Sequence, residues 1–438
     1  MASKPFAMPG PPPLAQDLSM PFTSGRVSFC RFLVTGDAPT SVDETFLDIL
    51  QEHRFRETEI GAPDETEAGF VTVEHLFDTQ FTYEKVGYGP HAVFALRIDT
   101  HKVPGEVKRA YQKMNEQAAA AASPTGFASK AEKRDAKDLA GRQASEDLAA
   151  GKFRRSRSVQ ITWDLANGRL YCSNSATSVV EQLVKLMRQA FSVELQPITA
   201  GTLAGHLLSQ TGRSRDYEDL HPSAFTKPPA DTGPGDDEAA PRDLHTPICP
   251  WVTRSIDLKD FLGNEMLTWL WWQCESEEGT IQTGKAGDVF FAVTRTLDMD
   301  CAWEVGGKQT LRCDKPTSLA EADDALKTGK WPRKMGLIVS DGEYTWDLTL
   351  QGDTLNVAST LLPDTSDAQT PREIIEQRLQ LIGTLAFALD SVYETFIKQR
   401  TASGWGAKRE AMSRWIRERG RADRDIRRAI EKSEAARV

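Results

Sequence analysis

Residues 152–176 read KFRRSRSVQITWDLANGRLYCSNSA and carry the clearest fold signal of the chain. The runs VQITWDL and RLYCSNS flank the dipeptide Asn167-Gly168. Because Asn-Gly tolerates the positive φ angles of a tight turn, this pattern predicts a β-hairpin. The segment KFRRSR, directly before the hairpin, holds four cationic residues and no acidic residue.

Upstream of the hairpin, the sequence predicts two basic helices. KVPGEVKRAYQKMNEQ and SKAEKRDAKDLAGRQASEDLAAGK are separated by AAAAASPTG, which contains the turn-forming residues Ser123 to Gly126. Between His101 and Gln160 there are thirteen Lys or Arg and seven Asp or Glu residues, a local charge of +6 in a chain of net charge −10. Such enrichment is typical of a site for a polyanion. A solvated, charged helix face is the alternative interpretation.

The rest of the first half reads as short strands and amphipathic helices. VSFCRFLVTG predicts a strand, and SVDETFLDILQEHRF predicts a helix with Ser41 as a possible N-cap. Further strands are predicted at GFVTVEHLF, FTYEKVGYG, HAVFALRID and VELQPI. Further helices are predicted from Val179 to Phe191 and at TLAGHLLSQ.

The second half repeats this mixture. IDLKDFLGNEMLTWLWWQCESEE predicts a helix whose tryptophans (269, 271 and 272) we interpret as core residues, with base stacking as the alternative. Strands are predicted at DVFFAVT, CAWEVG, KQTLRC, KMGLIVSD, EYTWDLTL and TLNVAST, with a helix at SLAEADDALKTG. A long helix from Pro371 has apolar residues at alternating four- and three-residue spacing, a seam for packing or dimerisation.

These elements predict an α+β protein with antiparallel sheets and flanking helices in two halves, a protruding basic helical hairpin and a long C-terminal apolar helix. We expect five segments. They are a disordered Pro-rich tail (1–24), an N-terminal α+β region (25–212) with a basic arm (102–157), an acidic Pro/Gly-rich linker or insert (213–246), a C-terminal α+β region (247–402) and a basic tail (403–438).

Composition and motifs argue against several classes of protein. The six cysteines form no C-x-x-C pair, so we expect reduced thiols in the cytoplasm and neither a zinc ribbon nor a disulfide framework. The run MLTWLWW is too short to cross a bilayer, so we expect no membrane association. Residues 279–286, GTIQTGKA, lack the Ser or Thr of a phosphate-binding loop and predict a turn. We find no catalytic constellation, cofactor motif or metal motif, and predict a non-enzymatic protein.

The order of elements resembles that of the bacterial RdgC family of recombination-associated proteins. The similar segments are GFVTV (69–73), KVPGEVKRAYQKMNEQ (102–117), KFRRSRSVQITWDLANGRLYCSNSA (152–176), TSLAEADDALKTGKWPRKMGLIVSDG (317–342) and IEQRLQLIGTLAFALD (375–390). The chain departs from the family in its Pro-rich start, its acidic insert and its basic tail. The resemblance implies a ring-like homodimer that encircles double-stranded DNA in the nucleoid and restrains a RecA-type recombinase.

The resemblance and the charge pattern together give a set of expected DNA contacts. In the first half these are Arg109, Lys113, Lys130, Arg134, Lys137, Lys152, Arg154, Arg155 and Arg157. In the second half they are Arg312, Lys315, Lys330, Arg333 and Lys334. Possible subunit contacts are Phe153, Leu379, Ile382 and Leu389. A protein–protein adaptor with a basic docking arm and a metal-dependent nuclease remain as alternative functions.

Overall fold

In a computed structural model, which describes residues 22–57, 66–229, 246–303, 307–364 and 368–419, the strands form one antiparallel network. The strands are β1 (Val27–Thr35), β2 (Thr66–Val71), β3 (Gly87–Tyr88), β4 (His91–His101), β5 (Arg154–Asp164), β6 (Arg169–Cys172), β7 (Glu194–Pro197), β8 (Thr280–Thr283), β9 (Gly287–Cys301), β10 (Gln309–Arg312), β11 (Lys330–Ser340), β12 (Thr345–Gln351) and β13 (Val357–Leu361). The helices are α1 (Glu44–Glu52), α2 (Tyr83–Val86), α3 (Gly105–Ala122), α4 (Lys130–Ala149), α5 (Thr177–Phe191), α6 (Ala200–Gln210), α7 (Ser214–Glu218), α8 (Phe261–Ser276), α9 (Ala320–Lys327), α10 (Pro371–Arg400) and α11 (Trp405–Glu418).

Strand β1 joins the two predicted halves into one sheet. The order along the sheet is β10-β9-β11-β12-β13-β1-β6-β5-β4-β2. Three short strands lie off this path: β3 pairs with β4, β7 pairs with β1, and β8 pairs with β9. On one side of β1, Phe29 lies opposite Val357 of β13. On the other side, Cys30 lies opposite Cys172 of β6. The α+β prediction is confirmed, and the halves share a sheet rather than each having one of its own.

The predicted hairpin at 152–176 is confirmed as β5 and β6. Asp164 lies opposite Arg169 across the turn, and Gly168 has a φ of +59°. The Asp164 carboxylate accepts hydrogen bonds from the backbone nitrogen of Asn167 (3.1 Å) and from its side-chain amide (2.8 Å). These bonds fix the turn, as expected for an acidic residue before a glycine-containing turn.

The two faces of the sheet support two apolar cores. One core joins α1 and α5 to the sheet through the rings of Phe46, Phe94, Trp163 and Phe191. The other core includes α6, α8 and α10. Trp269 and Trp271 are fully buried there, so the prediction that they are core residues is confirmed.

Helix α10 requires a correction to the predicted subunit contacts. Leu379, Ile382 and Leu389 are buried inside the core of the single chain. Their apolar spacing therefore matches intramolecular packing, and these side chains offer no free surface to a second subunit. The exposed large apolar residues of this helix are Ile374 and Phe387.

Several local predictions also need correction. The segment FTYEKVGYG forms the short helix α2 before the two-residue strand β3. Helix α1 is capped by Asp43, whose side chain accepts a hydrogen bond from the Phe46 nitrogen, and not by Ser41. In the predicted strand CAWEVG, Cys301 is the last residue of β9, Ala302 and Trp303 lie in a turn, and 304–306 are outside the described residues. The turn predicted at 279–286 is only partly right, because Thr280–Thr283 form β8 and 284–286 form the turn to β9.

The described parts of the predicted linker and tail pack on the body of the protein. Residues 213–229 include α7 and the buried Leu220 and Phe225, so this part is not a free linker. In the tail, α11 buries Met412 and Ile416 against the body. The other parts of these predictions, and most of the N-terminal tail, fall on residues 1–21, 230–245 and 420–438, outside the described residues. Among the helices that the structure describes, none has the length and apolar character that a membrane span requires.

Candidate nucleic-acid interface

The basic arm is an insertion at the end of a two-stranded ladder. Strands β4 and β5 pair without interruption from His91 opposite Asp164 to His101 opposite Arg154. Helices α3 and α4 lie between these strands in the sequence, so both ends of the arm are anchored on adjacent strands. A two-point attachment of this kind fixes where the arm leaves the sheet.

Helices α3 and α4 pack on one another through small and polar side chains. Ala136, Ala140 and Ala144 recur every four residues on α4 and are its buried residues. Asn115 of α3 donates a hydrogen bond to the Gln143 side chain (3.1 Å), and Tyr111 donates one to Asp147. Alanine on the contact face allows close approach of the helices but buries little apolar area, so we expect marginal stability for the arm on its own.

The exposed surface of the arm is rich in cations. On α3, Arg109 and Lys113 are four residues apart and point away from the face that carries Tyr111 and Asn115. Arg109 makes one ion pair with Glu106 (2.8 Å), in which both side chains are exposed. Such a pair contributes little energy and competes weakly with a phosphate.

Helix α4 carries three of the predicted contacts beside its alanine seam. Lys130, Arg134 and Lys137 are exposed, and within the described residues they have no acidic partner at ion-pair distance. Lys113 on α3 is also exposed and also has no acidic partner at ion-pair distance among the described residues. The capping box of Ser129 and Glu132 fixes the start of α4, which places Lys130 on its first turn. The arm therefore presents unpaired positive charge on both helices.

At the base of the arm, Arg154 belongs to an internal ion-pair network. Its guanidinium lies 2.5 Å from Asp99 and 2.9 Å from Glu57. Arg97 contacts the same two carboxylates, at 2.8 and 3.4 Å. Burial acts to raise the pKa of Asp99, but hydrogen bonds from Arg97, Ser156 and Arg154 outweigh burial and hold that pKa below its ordinary value. Arg154 therefore has a structural role in these ion pairs.

Lys152 also has an ion-pair partner within the fold. Its ammonium lies 2.6 Å from Asp147, and it remains well exposed. Hydrogen bonds from Lys152 and from Tyr111 lower the pKa of the Asp147 carboxyl. Because Tyr111 reaches the same carboxylate from α3, this cluster ties both helices to the start of β5.

Arg155 and Arg157 lie on the opposite face of β5 from Arg154, because side chains alternate along a strand. Both are exposed. Arg157 lies 3.4 Å from the Ser178 hydroxyl, in the first turn of α5. The N-cap of this helix, Ala176, has no side-chain oxygen to bond the first amides. An arginine beside a helix N-terminus can bind a phosphate through charge and N–H donors.

The arm also exposes large apolar side chains that sequence reasoning did not identify as surface. Met114, Phe127 and Leu139 are exposed, and Phe127, in the turn between the helices, is 79% exposed. The sequence signal for this exposure was the position of Phe127 in a turn, because a turn has no helix face that could bury the ring. Phe153, the predicted subunit contact, is half-buried and has a φ of +92°. It lies in a conformation that is rare outside glycine.

The sheet order separates the second-half cations from β5, although Lys334 lines a cavity with Ser173 and Ser175, directly before α5. In the sheet order, β12, β13, β1 and β6 separate β11 from β5. Arg333 pairs with Asp353 (2.5 Å) and Asp300 (3.5 Å), and its guanidinium lies 4.7 Å from the centre of the Trp251 ring. It is a structural residue.

The other second-half cations differ in exposure and in whether they have a partner within the fold. Lys330 is half-buried and donates to the Gln309 side chain (3.2 Å). Arg312, Lys315 and Lys334 are exposed. A surface role is therefore open to these last three, whereas Lys330 and Arg333 have partners within the fold.

Comparison of the sequence with protein-family models gives no match, and comparison with curated proteins gives none either. In the part of the chain that the structure describes, no group of three or more His, Cys, Asp or Glu side chains is placed to hold a metal ion.

Proposed function

We propose that this protein binds double-stranded DNA without sequence specificity through the helical arm and the start of β5. The observation that carries the proposal is a set of exposed cations that have no acidic partner among the described residues. The set contains Lys113, Lys130, Arg134, Lys137 and Arg155. Arg157 extends it towards the N-terminus of α5. A cation that is already paired must release its carboxylate before it can bind a phosphate, whereas the cations of this set need not.

The chemistry of this surface suits the DNA backbone better than base edges. Lysines and arginines on two antiparallel helices can reach phosphates along a groove, and contacts of that kind carry no sequence information. Each neutralised phosphate releases counterions, so binding should weaken steeply as salt rises. The net charge of −10 for the whole chain makes the arm the preferred contact for a polyanion.

The proposal includes a ring-like homodimer of the RdgC kind that restrains a RecA-type recombinase on nucleoid DNA. This part rests on the resemblance of the sequence. The exposed Phe127, Met114 and Leu139 support it, because large apolar side chains on a charged arm are suited to a protein contact. Phe153, at the base of the arm, is a further candidate for that contact.

The test compares two triple variants of equal charge change. Lys113→Gln/Arg134→Gln/Lys137→Gln removes unpaired cations from the arm. Lys185→Gln/Arg188→Gln/Arg215→Gln removes exposed cations from α5 and α7 and serves as the control. Fluorescence anisotropy with a random duplex of about 30 base pairs, which exceeds the usual protein footprint, should show at least tenfold weaker binding for the arm variant only.

Two outcomes would contradict the proposal. Equal loss of affinity in both variants would indicate a diffuse charge effect without a defined interface. Absence of duplex binding by the wild-type protein at low salt would favour the adaptor alternative, in which the arm binds an acidic protein.

A further inference from the structure

A cavity of about 600 Å³ lies between the sheet and helix α10, away from the arm. The sheet contributes Arg31 of β1, Asp164 of β5, and Arg169 and Tyr171 of β6. These side chains share one face of the sheet, because Arg31 lies opposite Tyr171 and Asp164 lies opposite Arg169. Helix α10 closes the other side between Gln380 and Asp390.

Two guanidinium groups in this cavity are incompletely paired. Arg31 is only 4% exposed and donates to the Asp390 carboxylate at 2.6 Å. Arg169 reaches the other oxygen of Asp390 at 3.4 Å. The Nε of Arg31 and the Nη1 of Arg169 are buried and have no hydrogen-bond acceptor among the described residues. A buried charged donor without an acceptor costs free energy, so this arrangement favours the arrival of an acceptor.

Carboxylates as well as guanidinium groups line the cavity. Asp390 is shared by both arginines, so one carboxylate faces two guanidinium groups. Asp164 is nearby, but its two oxygens accept hydrogen bonds from Asn167 and are directed into the hairpin turn. Burial lowers the pKa of His91 on the same wall, so this ring adds little positive charge at neutral pH. Two guanidinium groups therefore face two carboxylates, so the opening for a further anion rests on the two unsatisfied N–H donors and not on a net positive charge.

The remaining wall is apolar. Ile198, Ala386 and Phe387 line it, and Phe387 is 50% exposed although it is a large aromatic residue. Gly383 adds no side chain on the α10 side, and a Cβ at this position would have nothing within 4 Å. The cavity thus places cationic donors beside space that an apolar group can fill.

We infer that this cavity binds a small organic anion in which a carboxylate or phosphate monoester group is joined to a compact apolar or aromatic body. The anionic group accepts hydrogen bonds from Arg31 and Arg169, and planar or tetrahedral oxyanions match the guanidinium geometry. The apolar body packs on Phe387. A volume of about 600 Å³ is within the usual range for small-molecule sites.

The site is separate from the proposed DNA contacts. Asp164 and Arg155 lie near opposite ends of β5 and nine residues apart, which corresponds to roughly 30 Å along a strand. They also project from opposite faces of the sheet. The cavity joins strands of the N-terminal half to α10, so a bound anion should stabilise the junction of the two halves and raise the melting temperature.

The experiment titrates two probes, benzoate and phenyl phosphate, into the full-length protein by calorimetry and by thermal melting. We expect saturable binding of at least one probe and a higher melting temperature. Arg169→Gln should weaken that binding at least tenfold, and Phe387→Ala, a change at a half-exposed site, should weaken it severalfold. Arg188→Gln, an exposed arginine outside the cavity, is the control and should bind as the wild type does.

The two probes distinguish a carboxylate ligand from a phosphate ligand. Binding that is unchanged in both Arg169→Gln and Phe387→Ala would overturn the inference, as would absence of binding by either probe to the wild-type protein. Duplex DNA affinity should be unchanged in both cavity variants, so failure of this site and failure of the DNA proposal are separate results.

Discussion

Arg154 and Arg155 are neighbours in the sequence, yet their side chains point to opposite faces of β5 and have different roles. Arg154 is held by Asp99 and Glu57, whereas Arg155 is exposed and has no acidic partner among the described residues. The cluster KFRRSR is therefore not one uniform basic patch. Strand alternation divides it into a structural residue and surface cations.

Arg154→Gln should lower stability, whereas Arg155→Gln should not. Asp99 is fully buried, and loss of Arg154 leaves its charge partly uncompensated, at a cost of about 1–3 kcal/mol. Arg155→Gln, on an exposed site, should change the free energy of unfolding by less than about 0.5 kcal/mol. Urea unfolding of both variants at pH 7 measures the difference. Equal effects would show that the network around Asp99 does not depend on Arg154.

Stability should fall in acid because of Asp78. Burial acts to raise its pKa, but hydrogen bonds from Lys85 and Thr72 prevail and lower it from 3.8 to about 2. Since the folded pKa is the lower one, this stabilisation is present above about pH 4 and is lost as the pH falls towards 2. Asp78→Asn should cost roughly 2 kcal/mol at pH 7 and much less at pH 2.5. Asp48→Asn, at an exposed site, is the control and should change the free energy of unfolding at pH 7 by less than about 0.5 kcal/mol.

The alanine seam of the arm should be sensitive to side-chain size. Ala140→Leu forces α3 and α4 apart and should cost the arm about 1–3 kcal/mol. Because the two helices pack on one another, the body should remain folded. Hydrogen exchange should therefore accelerate within 105–149 and stay unchanged in β11 and β12. Uniform acceleration across the protein would contradict a separately packed arm.

Two glycines should respond oppositely to alanine. At Gly263 in α8, an added Cβ would lie 1.8 Å from the carbonyl oxygen of Gly352, so Gly263→Ala should destabilise the protein by about 3 kcal/mol. At Gly141 in α4 nothing lies within 4 Å, and Gly141→Ala should stabilise the arm by about 0.5–1 kcal/mol. Thermal melting for the first and arm hydrogen exchange for the second measure these changes.

Much of the fold could be predicted from local patterns. The Asn167-Gly168 hairpin, the break between α3 and α4 and the tryptophan-rich core helix follow from turn chemistry and apolar periodicity. The pairing of β1 with both β6 and β13 could not be predicted in this way. Those strands are distant in the sequence, and the apolar pattern of β1 does not predict which strands it pairs with.

The candidate site was predictable in location but not in detail. Charge counting identified the arm, but it could not separate Arg154 from Arg155, because the acids that bind Arg154 lie on β4 and before β2. Similarly, the apolar spacing of α10 did not distinguish a core seam from a subunit contact. The cavity beside Asp390 had no sequence signal, since its residues come from five separate segments.

The most direct test of the DNA-binding proposal is the salt dependence of duplex affinity for the wild type and for Arg155→Gln/Arg157→Gln. If both arginines contact phosphates, the slope of log affinity against log salt should become shallower by about 2 in the variant. It should stay unchanged in Lys185→Gln/Arg188→Gln. A wild-type protein without duplex affinity at low salt, or identical slopes in all three proteins, would contradict the proposed interface.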